Sequence, residues 1–259
     1  MTSLIHSAQN PVYKHLLKLA THRRERLKTH QTLLDGAHLL QSWLAAGLPI
    51  ECIYITEDAL ANPEITALLD AATAIPRTLL SADLFRTVSE LPSPTGILAL
   101  IDIPDQGIPL KSGFCLALDG IQDPGNVGSI LRTAVAAGVE QVWLSPGCAD
   151  VWSPKVLRAG MGAHASVQII ERIPLEDACQ CFAGNIAATM LDGASDLYDT
   201  DLHGDLLLVM GSEGSGVSTA IASQATRRIR IPMVPGIESL NVAAATAICL
   251  FERVRQTRS

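Results

Sequence analysis

Three short stretches of this sequence place polar residues directly behind an apolar run, where they could hold a phosphate, a hydroxyl or a cofactor. The first is LDGIQDPGNVGSILRTAVAAG, residues 118–138. A strand there passes into a loop with Pro124, Gly125 and Gly128, then into a helix carrying Arg132. Unpaired backbone N–H groups at a helix start can hold an anion. Asn126 can cap that helix, and Arg132, two turns on, can project toward the same end. Taken alone, the stretch is open to a phosphate cradle, a cofactor loop or an ordinary helix start. It is not a P-loop, because no Gly-Lys-Ser/Thr follows.

The second stretch, LLLVMGSEGSGVS (206–218), ends an apolar strand in Gly211-Ser212-Glu213-Gly214-Ser215-Gly216. Its glycine spacing does not fit the GxGxxG dinucleotide fingerprint, and the acidic residue expected about 20 positions on is lacking, which speaks against a dehydrogenase. A central glutamate would repel a pyrophosphate and suits a cationic or hydroxyl-bearing ligand. The bland alternative is a tight turn with a solvated Glu213. In the third stretch, IRIPMVPGIESLNVAAATAICLFERV (229–254), a strand ends near Pro232-Met233, and Ser239 and Asn241 stand at a helix start. Ser239 could be a simple cap. Asn241 is a poor helix former whose amide needs partners.

Around these loops the chain divides in two. Residues 1–103 read as a small α/β module. Helices are expected over PVYKHLLKLATHRR, GAHLLQSWLAAG and EITALLDAA, and strands over IECIYIT and TGILALIDI. The Pro- and Gly-rich PDQGIPLKSG (104–113) reads as a linker. From 114 to 259, strands FCLALDG, QVWLSP, VQII, IAATML, LLLVMGSE and RIRIPM alternate with helices, including SGVSTAIASQA and a long helix from Ser239 to near Gln256. Continuous apolar strands alternating with helices indicate a parallel sheet covered on both faces, with function at the carboxyl ends of its strands. The last helix is apolar nearly all round, which predicts burial in a core or a subunit interface.

Composition narrows the classes. The net charge is -7, against a general nucleic-acid binder. Yet residues 14–28 concentrate Lys14, Lys18, Arg23, Arg24, Arg26 and Lys28 against Glu25 alone, either a phosphate-tracking patch or a solvated helix face. Six scattered cysteines without a CxxC read as free thiols in a reducing compartment, and His164 and His203 as packing or surface residues, so no metal site is expected. No apolar run is long enough to span a bilayer and no leader pattern is visible, so a cytoplasmic protein with no membrane association is expected.

Taken together, DPGNVGSILRTAVAAG, VMGSEGSGVS and IPMVPGIESLNVAAATAI resemble the SpoU/TrmH family of SPOUT RNA methyltransferases. The N-terminal block, with SAQNPVYKHLLKL and LLDGAHLL, looks like that family's L30e-like substrate-binding domain, with Asp35 in place of a Glu. The resemblance implies a parallel-sheet SPOUT domain closed by a C-terminal trefoil knot. It implies transfer of a methyl group from S-adenosylmethionine to a ribose 2′-hydroxyl of RNA, ribosomal more than transfer RNA; the alternative is a non-catalytic RNA-binding paralogue. By match of position, Arg132, Asn126, Glu213, Ser239 and Asn241 are the implied catalytic residues. Thr189, Leu191, Gly211, Glu213, Gly216, Ile231, Met233 and Leu240 are the implied cofactor contacts. Arg132 would join Lys14, Lys18, Arg23, Arg24 and Arg26 on the RNA. A guanidinium seldom gives up its proton, so Arg132 is read as a fork that holds phosphate and orients the hydroxyl. A homodimer through the catalytic domain is implied as well.

Overall fold

The protein is described by a computed structural model over residues 4–191, 193–236 and 239–258. Two units separate, one of residues 1–105 with 152–165, the other of 106–151 with 166–259. In the first, strand β1 (Leu4–Ile5) precedes helix α1 (Pro11–Thr21). Asn10 starts that helix by accepting the Val12 and Tyr13 N–H groups, and Pro11 supplies a fixed φ in the first turn. The single helix expected over 11–24 is interrupted at His22, whose backbone is extended (φ -123°), and α2 (Arg23–Thr29) follows. Arg26 explains the break. It is buried, and its guanidinium donates to the carbonyls of Leu19 and Ala20 at the end of α1.

Strand β2 (Gln31–Asp35), helix α3 (Ala37–Ala45), strand β3 (Cys52–Ile55), helix α4 (Pro63–Ala71), strand β4 (Arg77–Leu80), helix α5 (Ala82–Val88) and strand β5 (Ile97–Asp102) complete this module. The sheet is mixed, in the order β1-β4-β3-β5-β2, with β5 antiparallel to both neighbours. The short strands β2 and β4 and helix α5 have no counterpart in the sequence reading. Their four to seven residues show too little periodicity to distinguish strand from buried turn.

The second unit begins in the stretch expected as a linker. It has no regular structure, yet it is bound along its length. Buried Gln141 accepts from Leu110 N (2.9 Å) and donates to Ile108 O (3.0 Å), and Gln168 donates to Gln106 O (3.0 Å). Then follow β6 (Phe114–Asp119), α6 (Pro124–Ala136), β7 (Gln141–Leu144), α7 (Pro154–Gly160), β8 (Gln168–Ile170), α8 (Leu175–Cys181), β9 (Asn185–Thr189), β10 (Ser195–Asp196), β11 (Leu206–Gly211), α9 (Thr219–Ala222), β12 (Arg227–Arg230) and α10 (Val242–Thr257). Of these, α7 lies in the 152–165 stretch that clusters with the first unit, where Thr32 donates to Trp152 O (2.7 Å) and Trp43 meets Trp152 edge to face.

The second sheet runs β10-β12-β9-β11-β6-β7-β8, every pair parallel, as alternation required. One face buries Cys115, Ala117, Trp143 and Val209 against Leu175, Cys179 and Phe182 of the α8 region. The Trp143–Phe182 rings meet edge to face at 6.1 Å, the favourable arrangement for their quadrupoles. Leu116, Leu118, Leu208 and Met210, which alternate with that set, are equally buried, and α10 packs against α6 and β11. The helix expected over SGVSTAIASQA shrinks to the four residues of α9, because Gly216 takes a positive φ (+66°) in a tight turn.

Candidate active site

The central strands β6 and β11 end side by side, with Asp119 in register with Gly211. Beyond β6, Asp123 is the residue that caps α6, accepting from Asn126 N at 2.8 Å. The cap therefore stands one turn before Asn126, where it was expected. Because Asp123 satisfies the backbone, the Asn126 amide is free to point outward. It donates to Glu213 Oε1 at 2.7 Å, spanning 87 residues of chain.

Asn241 closes the group. Its Nδ2 donates to Asn126 Oδ1 (2.9 Å) and Glu213 Oε1 (3.2 Å). Its Oδ1 accepts from Ala243 N (3.0 Å) and Ala244 N (3.3 Å), so it is the cap of α10 and not a residue inside it. The helix expected from Ser239 starts at Val242, and Ser239 precedes the cap. Val242 N adds a weaker bond to Glu213 Oε1 (3.4 Å). One carboxylate oxygen thus receives donors from two other loops, and three segments far apart in sequence are tied at one point.

The turn after β11 is built to hold Glu213 there. Ser212 and Gly216 exchange backbone bonds (3.2 and 2.9 Å), the Ser212 and Ser215 hydroxyls bond at 2.7 Å, and Asp119 accepts from Ser218 N at 2.9 Å. A Cβ on Gly211 would stand 2.0 Å from the Gly216 carbonyl carbon and 2.1 Å from Val217 N. Glycine is demanded by the chain folding back on itself, whatever else approaches.

Beside this group lies a cavity of about 400 Å³. Its walls come from the ends of β9, β11 and β12 and the approach to α10. Thr189, Leu191, Gly211, Glu213, Gly216, Ile231, Met233 and Leu240, expected at a cofactor, all line it, as does Ser239. Met210, Val217, Ile229, Arg230, Val242 and Ala245 line it too and were not expected. Ile229, two residues before Ile231, is the one that strand alternation could have found; Arg230 and Met210 stand one residue before Ile231 and Gly211, on the other side of their strands. Arg132 is not brought into the group. It is exposed on α6 and makes no hydrogen bond or ion pair among the described residues.

Of the basic N-terminal residues, Lys14, Lys18 and Arg24 are exposed and Arg23 is half-buried. Arg26 leaves the set: only 5% exposed and committed to the α1 carbonyls, it has no free face for a phosphate. All six cysteines are free thiols, with only Cys181 exposed. Burial pushes the Cys249 thiol up to about 12 and that of Cys179 to about 11, so neither is a nucleophile. His164 packs on the Trp152 ring, and exposed His203 bonds Asp201 (2.6 Å) and Gln256 O (3.0 Å). Among the described residues no cluster of His, Cys, Asp and Glu could hold a metal, and no helix is long and apolar enough to cross a membrane.

A parallel sheet with a cavity at its strand ends, edged by two asparagines sharing one carboxylate, defines a ligand-binding α/β domain. The model of the SpoU rRNA Methylase family matches residues 113–251, and that of the MRM3-like substrate binding domain matches 10–99. The chain belongs to the SpoU rRNA methylase family. It is 32% identical to the 23S rRNA (guanosine(2553)-2′-O)-methyltransferase RlmP of Bacillus subtilis, over 95% of this chain and 97% of that one. The AdoMet-bound rRNA methyltransferase of Sinorhizobium meliloti superposes with a TM-score of 0.87 at 25% identity, covering 100% and 99% of the two chains. The SpoU methyltransferase AviRb of Streptomyces viridochromogenes, in complex with AdoMet, gives 0.86 at 26% identity over 97% and 99%.

Proposed function

We propose that this protein methylates a ribose 2′-hydroxyl of ribosomal RNA, with S-adenosylmethionine as the methyl donor. The observation that carries the reading is the Asn126–Glu213–Asn241 group fixed at the edge of the cavity. The cavity fits that cofactor in size, being within the usual range for small-molecule sites. It fits in chemistry too, since the turn Gly211–Gly216 offers main chain while Met190, Leu191, Met210 and Leu240 offer apolar surface to a nucleoside. When bound, the cofactor supplies an electrophilic methyl group.

The chain's own part is to position and to neutralise. Glu213, held by both amides, presents negative charge to a cationic ligand. Ser239, exposed in the wall, offers a hydroxyl to the ribose. Arg132, exposed and without a hydrogen bond or ion pair among the described residues, is assigned the phosphate next to the target ribose, which its planar fork holds bidentately while orienting the hydroxyl. Such positioning lowers a barrier by several kcal/mol without any group changing its protonation. Lys14, Lys18, Arg23 and Arg24 are assigned to the RNA backbone. The full-length relative that acts on 23S rRNA supports ribosomal over transfer RNA, and hence a cytoplasmic site of action. A homodimer through the second unit and a C-terminal trefoil knot belong to the same proposal. The apolar face of α10 supports the first, and the second rests on the family resemblance alone.

The test joins mapping to binding. Ribosomal RNA from a deletion strain should lack one 2′-O-methyl mark that the wild-type gene restores. Arg132→Ala should fail to restore it, with transfer down at least about a hundredfold, the scale of a lost transition-state contact, while calorimetry finds cofactor affinity within about threefold of wild type. Full restoration by Arg132→Ala would remove Arg132 from the chemistry, and an unchanged methylation map would remove ribosomal RNA as the substrate.

A further inference from the structure

Two ionisable side chains stand among the described residues that line the cavity, Glu213 and Arg230. Glu213 is engaged by Asn126, Asn241 and the start of α10. Arg230 has no such engagement. It is the last residue of β12, exposed, and no hydrogen bond or ion pair to it exists among the described residues. In the alternation of that strand Ile229 turns into the sheet, while Arg228 and Arg230 share the opposite, solvent-facing side. The carboxylate in register with it, Asp196 on β10, instead accepts from Tyr198 N at 3.1 Å.

A guanidinium in this wall with no partner among the described residues poses a charge problem. The cofactor carries a sulfonium and an ammonium, both positive, and a single carboxylate. A cation in the wall weakens binding of such a ligand unless it faces the one negative group. A guanidinium is also the side chain whose fork matches a carboxylate. We propose that Arg230 is a binding residue for the α-carboxylate of the cofactor's amino-acid tail, and so fixes which end of the cavity that tail occupies. Glu213 then stands nearer the positively charged part of the ligand, and the two lining charges read the ligand's polarity from opposite signs. The inference rests on the cavity being the S-adenosylmethionine site.

Calorimetry on the full chain with three ligands separates the alternatives. S-adenosylmethionine and S-adenosylhomocysteine both carry the carboxylate, whereas 5′-methylthioadenosine has the nucleoside and thioether without the amino-acid tail. Arg230→Gln, close in shape, and Arg230→Ala should each weaken the first two ligands about tenfold, the range of a charge-assisted pair open to solvent. Methylthioadenosine should bind both variants as it binds wild type, and that result also shows the cavity intact. Arg230→Lys should recover part of the loss. Equal weakening of methylthioadenosine would overturn the proposal in favour of a role in cavity shape. Unchanged cofactor binding together with weakened RNA binding would overturn it in favour of an RNA phosphate. Wild-type protein that binds none of the three would bring down the cofactor site itself.

Discussion

At Gly211 a single hydrogen atom decides whether the site exists. The strand must end and the chain must double back so closely that any side chain would meet main-chain atoms of Gly216 and Val217. Main chain cannot swing aside as a flexible side chain can. Gly211→Ala should therefore cost about 2 kcal/mol or more of stability, as overpacking does, and weaken cofactor binding by at least about tenfold as the turn holding Glu213 shifts. Urea denaturation and calorimetry on the same variant check both. Wild-type values in both would mean that the turn is not as tight as its geometry requires. The same locality governs Asn126. Once Asp123 takes the capping role, the amide three residues on becomes available for tertiary contact, a division of labour invisible when either residue is considered alone.

At the scale of elements, the α1–α2 corner separates two kinds of basic residue that adjoin in sequence. Arg26 stabilises the corner by donating to carbonyls that α1 leaves unpaired at its end. Arg26→Ala should lower unfolding stability by about 2 kcal/mol, the cost of stranding buried acceptors, with no change in how RNA binding depends on salt. Lys14, Lys18 and Arg24 are exposed. Their joint replacement by Ala should leave stability within about 0.5 kcal/mol and reduce the slope of log affinity against log salt by about 2. Filter-binding titrations at several salt concentrations read the slope. An unaltered slope would make this stretch a solvated face and move the RNA contact elsewhere. The charge run alone could not make this distinction, because burial of one arginine depends on where the preceding helix ends.

For the whole molecule, α10 carries an unfinished surface. Val242, Thr246, Cys249 and Leu250 are buried within the chain. Ala244, Ala247, Ile248 and Phe251, spaced i, i+3, i+4 and i+7, form a stripe left exposed or half-buried, with Phe251 45% exposed. The helix is therefore not buried all round within its own chain, which leaves a subunit interface as the other half of the expectation. A second copy covering this stripe would give the symmetric dimer proposed above. Light scattering should find about twice the 27.5 kDa of one chain, and Ala247→Glu should shift it toward the monomer by placing a charge in the interface. Wild-type protein that scatters as a monomer at micromolar concentration would leave the stripe without a partner and refute the assembly.

The parallel sheet and the strand ends that carry the polar loops were legible in the chain because each depends on local pattern. Apolar runs of strand length alternate with helical spacing, and glycine and proline mark where strands stop. The eight positions expected at a cofactor, all of which line the cavity, came from the resemblance of the three motifs to a known family and not from local pattern. What pattern could not supply was any property set by a neighbour distant in sequence. That Asn126, Glu213 and Asn241 share a carboxylate oxygen depends on β6 lying beside β11, a contact between residues 87 and 115 positions apart. That Arg26 is buried while Arg24 is not, and that residues 152–165 cluster with the first unit, depends on packing that no window of sequence contains. Covalent order fixes periodicity and turn chemistry. Only the closed tertiary structure decides which unpaired donors and acceptors meet, because each bond's geometry is fixed by elements that lie far apart in the chain.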